Sequence, residues 1–123
     1  HIPAIAGVIS RAAANAAYEL KASAIITSTQ SGATAGRLSQ CRPDCPIVAV
    51  TPDEKVAKKL ALCFGVYPVV SGQMQSTDHM MEESVKVAEA NGFVKTGDTV
   101  VIAAGVPVDK IGATNLLKIS VVE

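Results

Sequence analysis

The sequence predicts an α/β protein: a three-layer α/β/α sandwich around a five-stranded, mostly parallel sheet whose last strand runs antiparallel. Three observations carry this. After an opening helical segment, short apolar runs alternate three times with segments of helical period. The runs are apolar at successive positions, as in Ile47-Val48-Ala49-Val50, which suits strands covered on both faces. Only Gly105–Gly112 separates the final two runs, too few residues for a crossover helix, so the last strand must return antiparallel.

The size and composition fit one domain spanning residues 1–123, long enough for a real core. Hydrophobic residues make up 49% of the chain but aromatics only 3%, so the core is built from Ala, Val, Ile and Leu. The formal net charge is zero and the charges are interspersed, which argues against a nucleic-acid partner or a basic membrane-surface helix. The apolar runs fall short of the ~20 residues a bilayer span needs. Cys41, Cys45 and Cys63 are odd in number and lack a zinc-ligand spacing, which points to reduced thiols in a cytoplasmic protein. No signal peptide is visible, and a chain opening on His1 rather than Met is expected to be a fragment of something longer.

Along the chain, Ile5, Val8, Ile9, Ala12, Ala13, Ala16 and Leu20 recur at helical spacing from Pro3 to Leu20. Pro3 suits a first helical turn, where its missing N–H costs nothing. Ala24–Thr27 is the first strand, and a short helix through Ala35-Gly36-Arg37-Leu38 ends before Arg42-Pro43. The second strand is Ile47–Val50. Thr51-Pro52-Asp53-Glu54 then reads as a capping box with Thr51 at the cap. The helix it opens turns Val56, Ala57, Leu60, Ala61 and Phe64 inward and Lys55, Lys58 and Lys59 outward. Gly65 introduces the third strand, Val66–Val70. Ser76-Thr77-Asp78 caps a fourth helix with an apolar face of Met81, Val85 and Ala88, stopped by Asn91-Gly92. Strands Thr99–Ala104 and Leu116–Val122 complete the sheet.

The stretch from Ser28 to Thr34, Ser-Thr-Gln-Ser-Gly-Ala-Thr, is the candidate site. It lies between a buried strand and a helix start, where unpaired backbone N–H groups receive phosphate in α/β proteins. The hydroxyls of Thr29, Ser31 and Thr34 can add donors, and Gly32 lets an oxyanion approach the backbone. The alternative is that Ser31 or Thr34 simply caps the helix. If the first and fourth strands are neighbours, the Gly105–Gly112 loop faces this one across a crevice at the switch point. Catalytic groups are wanting: His1 is terminal, His79 opens a helix, and Asp44, Asp53, Asp98 and Asp109 sit at turns or helix starts. No Walker A ending or metal-ligand motif is present. The residues read as a binding domain.

The sequence resembles the C-terminal domain of pyruvate kinase over essentially its whole length. Thr29-Gln30-Ser31-Gly32-Ala33-Thr34-Ala35 looks like the family's effector loop, Thr-x-Ser-Gly-x-Ser/Thr-Ala. Arg42-Pro43-Asp44-Cys45-Pro46-Ile47-Val48-Ala49-Val50-Thr51-Pro52, Gly65–Val69, Gly97-Asp98, and Ala104-Gly105-Val106-Pro107 with Gly112-Ala113-Thr114-Asn115 follow in the family's order. The resemblance implies a regulatory fragment of a larger enzyme that transfers phosphoryl from phosphoenolpyruvate to ADP on a separate (β/α)₈ barrel. That enzyme uses Mg and commonly K; no cofactor is expected in this domain. The resemblance also implies subunit contacts in a homotetramer and a phosphorylated allosteric effector held by Thr29, Gln30, Ser31, Gly32, Ala33 and Thr34. The loop with Pro107, Lys110 and Gly112 would close over the ligand, Lys110 either adding a positive contact or remaining a solvated loop lysine. Ala33 stands where some relatives place arginine, and Ser71–Gln75 has no inserted tryptophan and arginine for a second phosphate. A monophosphate, such as a sugar monophosphate or AMP, fits better than a bisphosphate. A free-standing phospho-ligand protein and a purely structural oligomerisation domain remain the alternatives.

Overall fold

The computed structural model describes residues 2–72, 77–105 and 114–123, and over these the chain runs α1 (Ile2–Leu20), β1 (Ala24–Ser28), α2 (Ala33–Gln40), β2 (Ile47–Thr51), α3 (Glu54–Leu60), β3 (Val66–Val70), α4 (Thr77–Ala90), β4 (Thr99–Gly105) and β5 (Thr114–Val121). The strand order is β3-β2-β1-β4-β5. All neighbours pair in parallel except β4 and β5, which are antiparallel. This is the expected five-stranded mixed sheet, with β1 and β4 adjacent where the strand order reverses.

Alternation along the strands divides the core in two. Ile25, Ile47, Ala49, Val66, Val101 and Ala103 face one way and are covered by Ala13 and Ala17 of α1, Ala35 and Leu38 of α2, and Leu60 of α3. Ala24, Ile26, Val48, Val50, Val100 and Ile102 face the other way, under Ala88, Met81 and Val85 of α4. Three helices thus lie on one face and one on the other. The scarcity of aromatics finds its reason here, because alanine faces let α1 and α2 lie close to the strands.

Three local expectations need correction. On α1 the buried positions are Ala6, Ser10, Ala13 and Ala17, while Ile5, Val8 and Leu20 stay about half exposed. The helix seats its smallest residues on the sheet, and Ser10 satisfies its buried hydroxyl by donating to the Ala6 carbonyl at 2.8 Å. On α3 the cap is Asp53, whose carboxylate accepts the Lys55 and Val56 N–H groups at 2.8 and 3.3 Å. Thr51 instead ends β2, opposite Val70, and its hydroxyl accepts the Asp53 N–H. The helix closes at Leu60. Ala61 and Phe64, expected inward, are exposed. On α4 the expected face holds: Ala88 is buried with Met81 and Val85 packed against the same core, joined by the buried Met80 and Ser84. Gly92, at φ 79°, follows α4 as expected. The proposed cap at Ser76 lies outside the described residues.

Candidate functional site

β1 ends at Ser28 in the middle of the sheet, and the chain turns from it directly into α2. The Thr29 N–H donates to Val50 O on β2 at 2.9 Å, extending the ladder one residue beyond the strand. Thr29 is 7% exposed, and its hydroxyl accepts the Gly32 N–H at 2.9 Å, closing a tight turn over Gln30 and Ser31. Gly32 is the residue before α2 and has φ 89°, a left-handed conformation that favours glycine. A Cβ there would also lie 3.2 Å from Leu60 Cδ2 and 3.4 Å from Val56 Cγ1, so α3 closes the space a side chain would need.

α2 starts without a side-chain cap on its N-cap residue. The first intrahelical bond runs from the Gly36 N–H to Gly32 O at 2.9 Å. The Ala33 N–H donates to the exposed Ser31 hydroxyl at a long 3.3 Å. Ser31 therefore borders the helix start rather than capping it through the usual N2 or N3 position. The N–H groups of Ala33, Thr34 and Ala35 precede the first helical bond, at the end where the peptide dipoles concentrate positive partial charge. An anion with acceptor oxygens matches that set of donors.

The sequence did not single out two residues: one joins this region, and a second lies in the same helix. Thr34 is 6% exposed and its hydroxyl pairs at 2.5 Å with the hydroxyl of Thr114, at the start of β5. The two residues are 80 positions apart, and no spacing rule connects them. Arg37 is the second. It lies one turn beyond Thr34 on α2, and its Nη1 is buried with no acceptor among the described residues. As the one cation in α2 it could have been noted from the sequence.

The expected site residues thus fall into two groups. Thr29, Gln30, Ser31, Gly32, Ala33 and Thr34 form one continuous turn and helix start at the switch point between β1 and β4. Pro107, Lys110 and Gly112 lie outside the described residues. Two open grooves occur elsewhere. One of about 510 Å³ runs between α4 and β5, past Met81, Val85 and Lys118. The other, about 590 Å³, lies between Arg11, Asn15 and Tyr18 of α1 and the Cys41–Asp44 segment. Neither reaches the Ser28–Thr34 turn. Among the described residues no group of three His, Cys, Asp or Glu side chains could hold a metal ion, and no helix is long and apolar enough to cross a membrane.

Comparison with known proteins gives a family. The family model described as pyruvate kinase, alpha/beta domain, matches residues 7–120. The pyruvate kinase of Clostridium acetobutylicum is 53% identical over 94% of this chain and 24% of its own length. Those of Lactobacillus delbrueckii subsp. bulgaricus and Geobacillus stearothermophilus are 45% and 43% identical, over 93% and 96% of this chain and 19% and 20% of theirs. The chain thus spans about a quarter or less of the curated relatives it matches. With a mixed five-stranded sheet and a match over nearly its whole length, the chain belongs to the α/β-domain family of pyruvate kinases.

Proposed function

We propose that this domain regulates a pyruvate kinase by binding a phosphorylated small molecule on the Ser28–Thr34 turn. The observation that carries the reading is the join of β1 to α2. There, Gly32 at φ 89° opens a helix whose first N–H groups have no helical partners, at the carboxyl edge of the sheet beside its switch point. The exposed Ser31 adds a hydroxyl, and Arg37, further along the same helix, is a cation whose buried Nη1 has no acceptor among the described residues. A single phosphate matches this set, so a sugar monophosphate or AMP is the favoured class of effector. The parent enzyme would transfer phosphoryl from phosphoenolpyruvate to ADP on a barrel with Mg and K. An effector that favours one arrangement of this domain against that barrel would bias the distant chemistry.

Calorimetric titration of the chain with AMP, ribose 5-phosphate and fructose 1,6-bisphosphate tests the reading. Micromolar binding of a monophosphate, weakened by Ser31→Ala, is expected. No heat from any of the three, with the fold intact, would overturn effector binding by this chain.

A second role, in subunit contacts, is favoured by the two edges of the sheet. β3 carries Pro68 within the strand, which blunts that edge. β5 has eight residues and no proline, and it exposes about half of Ile119 and Val121 on the α1 side. On α1, Arg11, Asn15 and Tyr18 look towards the Cys41–Asp44 segment, which leaves Ile5, Ile9, Ala12, Ala16 and Leu20 on the opposite flank. An antiparallel edge beside an apolar helix flank is self-complementary about a twofold axis, so the occupant is a second copy of the chain.

A further inference from the structure

β5 does not alternate evenly along its length. Ala103, Ala104 and Gly105 of β4 oppose Leu117, Leu116 and Thr114, so Asn115 is an extra residue on β5 and the ladder is bulged there. The insertion decides where Thr114 points. By strict alternation Thr114 would share a face with Leu116, Lys118 and Val122, the face that α4 covers. With Asn115 inserted, Thr114 opposes Gly105, in line with Val101 and Ala103 on the α2 side. There it is 1% exposed and its hydroxyl meets that of Thr34.

From this geometry we infer that Thr114 is a positioning residue for the phosphate-receiving turn, an assignment that rests on the effector reading above. Thr34 is the second residue of α2, so its side chain fixes the helix start whose N–H groups are offered to the ligand. Its hydroxyl is buried and pairs with that of Thr114. The pair therefore sets the direction of the N–H donors, while Ser31, exposed at the rim, offers a hydroxyl to a ligand. The bulge is the device that makes this possible: it turns one β5 side chain through the sheet plane to hold a helix that follows β1.

The test compares Thr114→Val, Thr114→Ser and Thr34→Val with the unaltered chain, using ribose 5-phosphate and inorganic phosphate as probes, with thermal unfolding in parallel. Valine keeps the shape and removes the hydroxyl, and serine returns it. Thr114→Val is expected to weaken ribose 5-phosphate binding roughly tenfold, with Thr114→Ser restoring most of the loss. The double variant Thr34→Val/Thr114→Val should bind no worse than either single one, because the two share one interaction. Without any ligand, the Gly36 amide, which donates to Gly32 O at the helix start, should exchange with solvent several-fold faster in Thr114→Val than in Thr114→Ser. If the unaltered chain binds neither probe, the effector reading fails, and the amide exchange still reports on the pair. If it binds, and Thr114→Val binds as tightly with unchanged exchange at Gly36, the positioning role is overturned while the effector reading stands.

Discussion

The guanidinium carbon of Arg42 lies 4.5 Å from the centroid of the Phe64 ring, tying the segment after α2 to the turn before β3. The Ser39 hydroxyl donates to the Phe64 carbonyl at 2.7 Å, so one residue anchors the end of α2 twice. Arg42 sits at φ 48°, which costs a non-glycine residue about 1 kcal/mol. Arg42→Ala loses the stack and keeps the strain. Arg42→Gly loses the stack and relieves the strain. The alanine variant should therefore be the less stable of the two by about 1 kcal/mol, read from urea midpoints at unchanged slope.

The position of the α3 cap gives a second test. Asp53→Ala should destabilise the fold by about 1 kcal/mol, and Asp53→Asn by much less, because asparagine caps nearly as well. Thr51→Val removes only one long bond to the Asp53 N–H and keeps the buried shape, so it should cost less than Asp53→Ala. A capping box centred on Thr51 would reverse that order. Thermal unfolding of the three variants decides between them.

Burial pushes the Cys45 thiol above the ordinary range, and the neighbouring Asp44 charge adds to the shift. The raised value means that the folded state holds its proton to higher pH than the unfolded chain does. Between the unfolded and the folded pKa the unfolded state has lost its proton and the folded state has not. Stability from this group is therefore complete below about pH 8.5 and declines as pH rises through that window. Cys45→Ala should flatten the alkaline limb of a stability–pH profile relative to the unaltered chain. An equally steep limb in both would assign it to other groups.

At the β5 edge, Ile119→Lys together with Val121→Lys should shift the chain towards monomer in sedimentation equilibrium without lowering its melting temperature by more than a few degrees. Both side chains are already about half exposed, so the fold loses little from their replacement. Unchanged association would move the contact surface elsewhere on the molecule.

The order of elements, the mixed sheet and the placement of the Ser28–Thr34 turn could all be read in the sequence. The apolar runs are unbroken and the helices well punctuated, and a parallel sheet with a single reversal admits few arrangements. Three features were hidden for three physical reasons. The face of α1 was misjudged because Ile5, Val8 and Leu20 outweigh alanine in any hydrophobic pattern, whereas close packing on the sheet prefers the alanines. The α3 cap was misjudged because Thr51-x-x-Glu54 has the form of a capping box, but pairing with β3 carries β2 through Thr51 and leaves Asp53 to cap. The Thr34–Thr114 contact could not be seen at all. It depends on a bulge at Asn115, and a one-residue insertion in a ladder has no periodic signature.

The central place of β1 sets an order in time. Its two neighbours are β2, which follows it closely, and β4, which emerges only after β3 and α4 have been made. A chain leaving the ribosome can form the β1–α2–β2–α3–β3 half early, while the other side of β1 waits for distant partners. The candidate site is therefore begun near residue 30 and finished only when Thr114 arrives, 80 residues after Thr34. In refolding followed by pulsed amide exchange, the hydrogen-bonded amides from Gly36 onward in α2 should gain protection before those of the β4–β5 ladder do. The helix would exist as a helix some while before it could serve as a receptor.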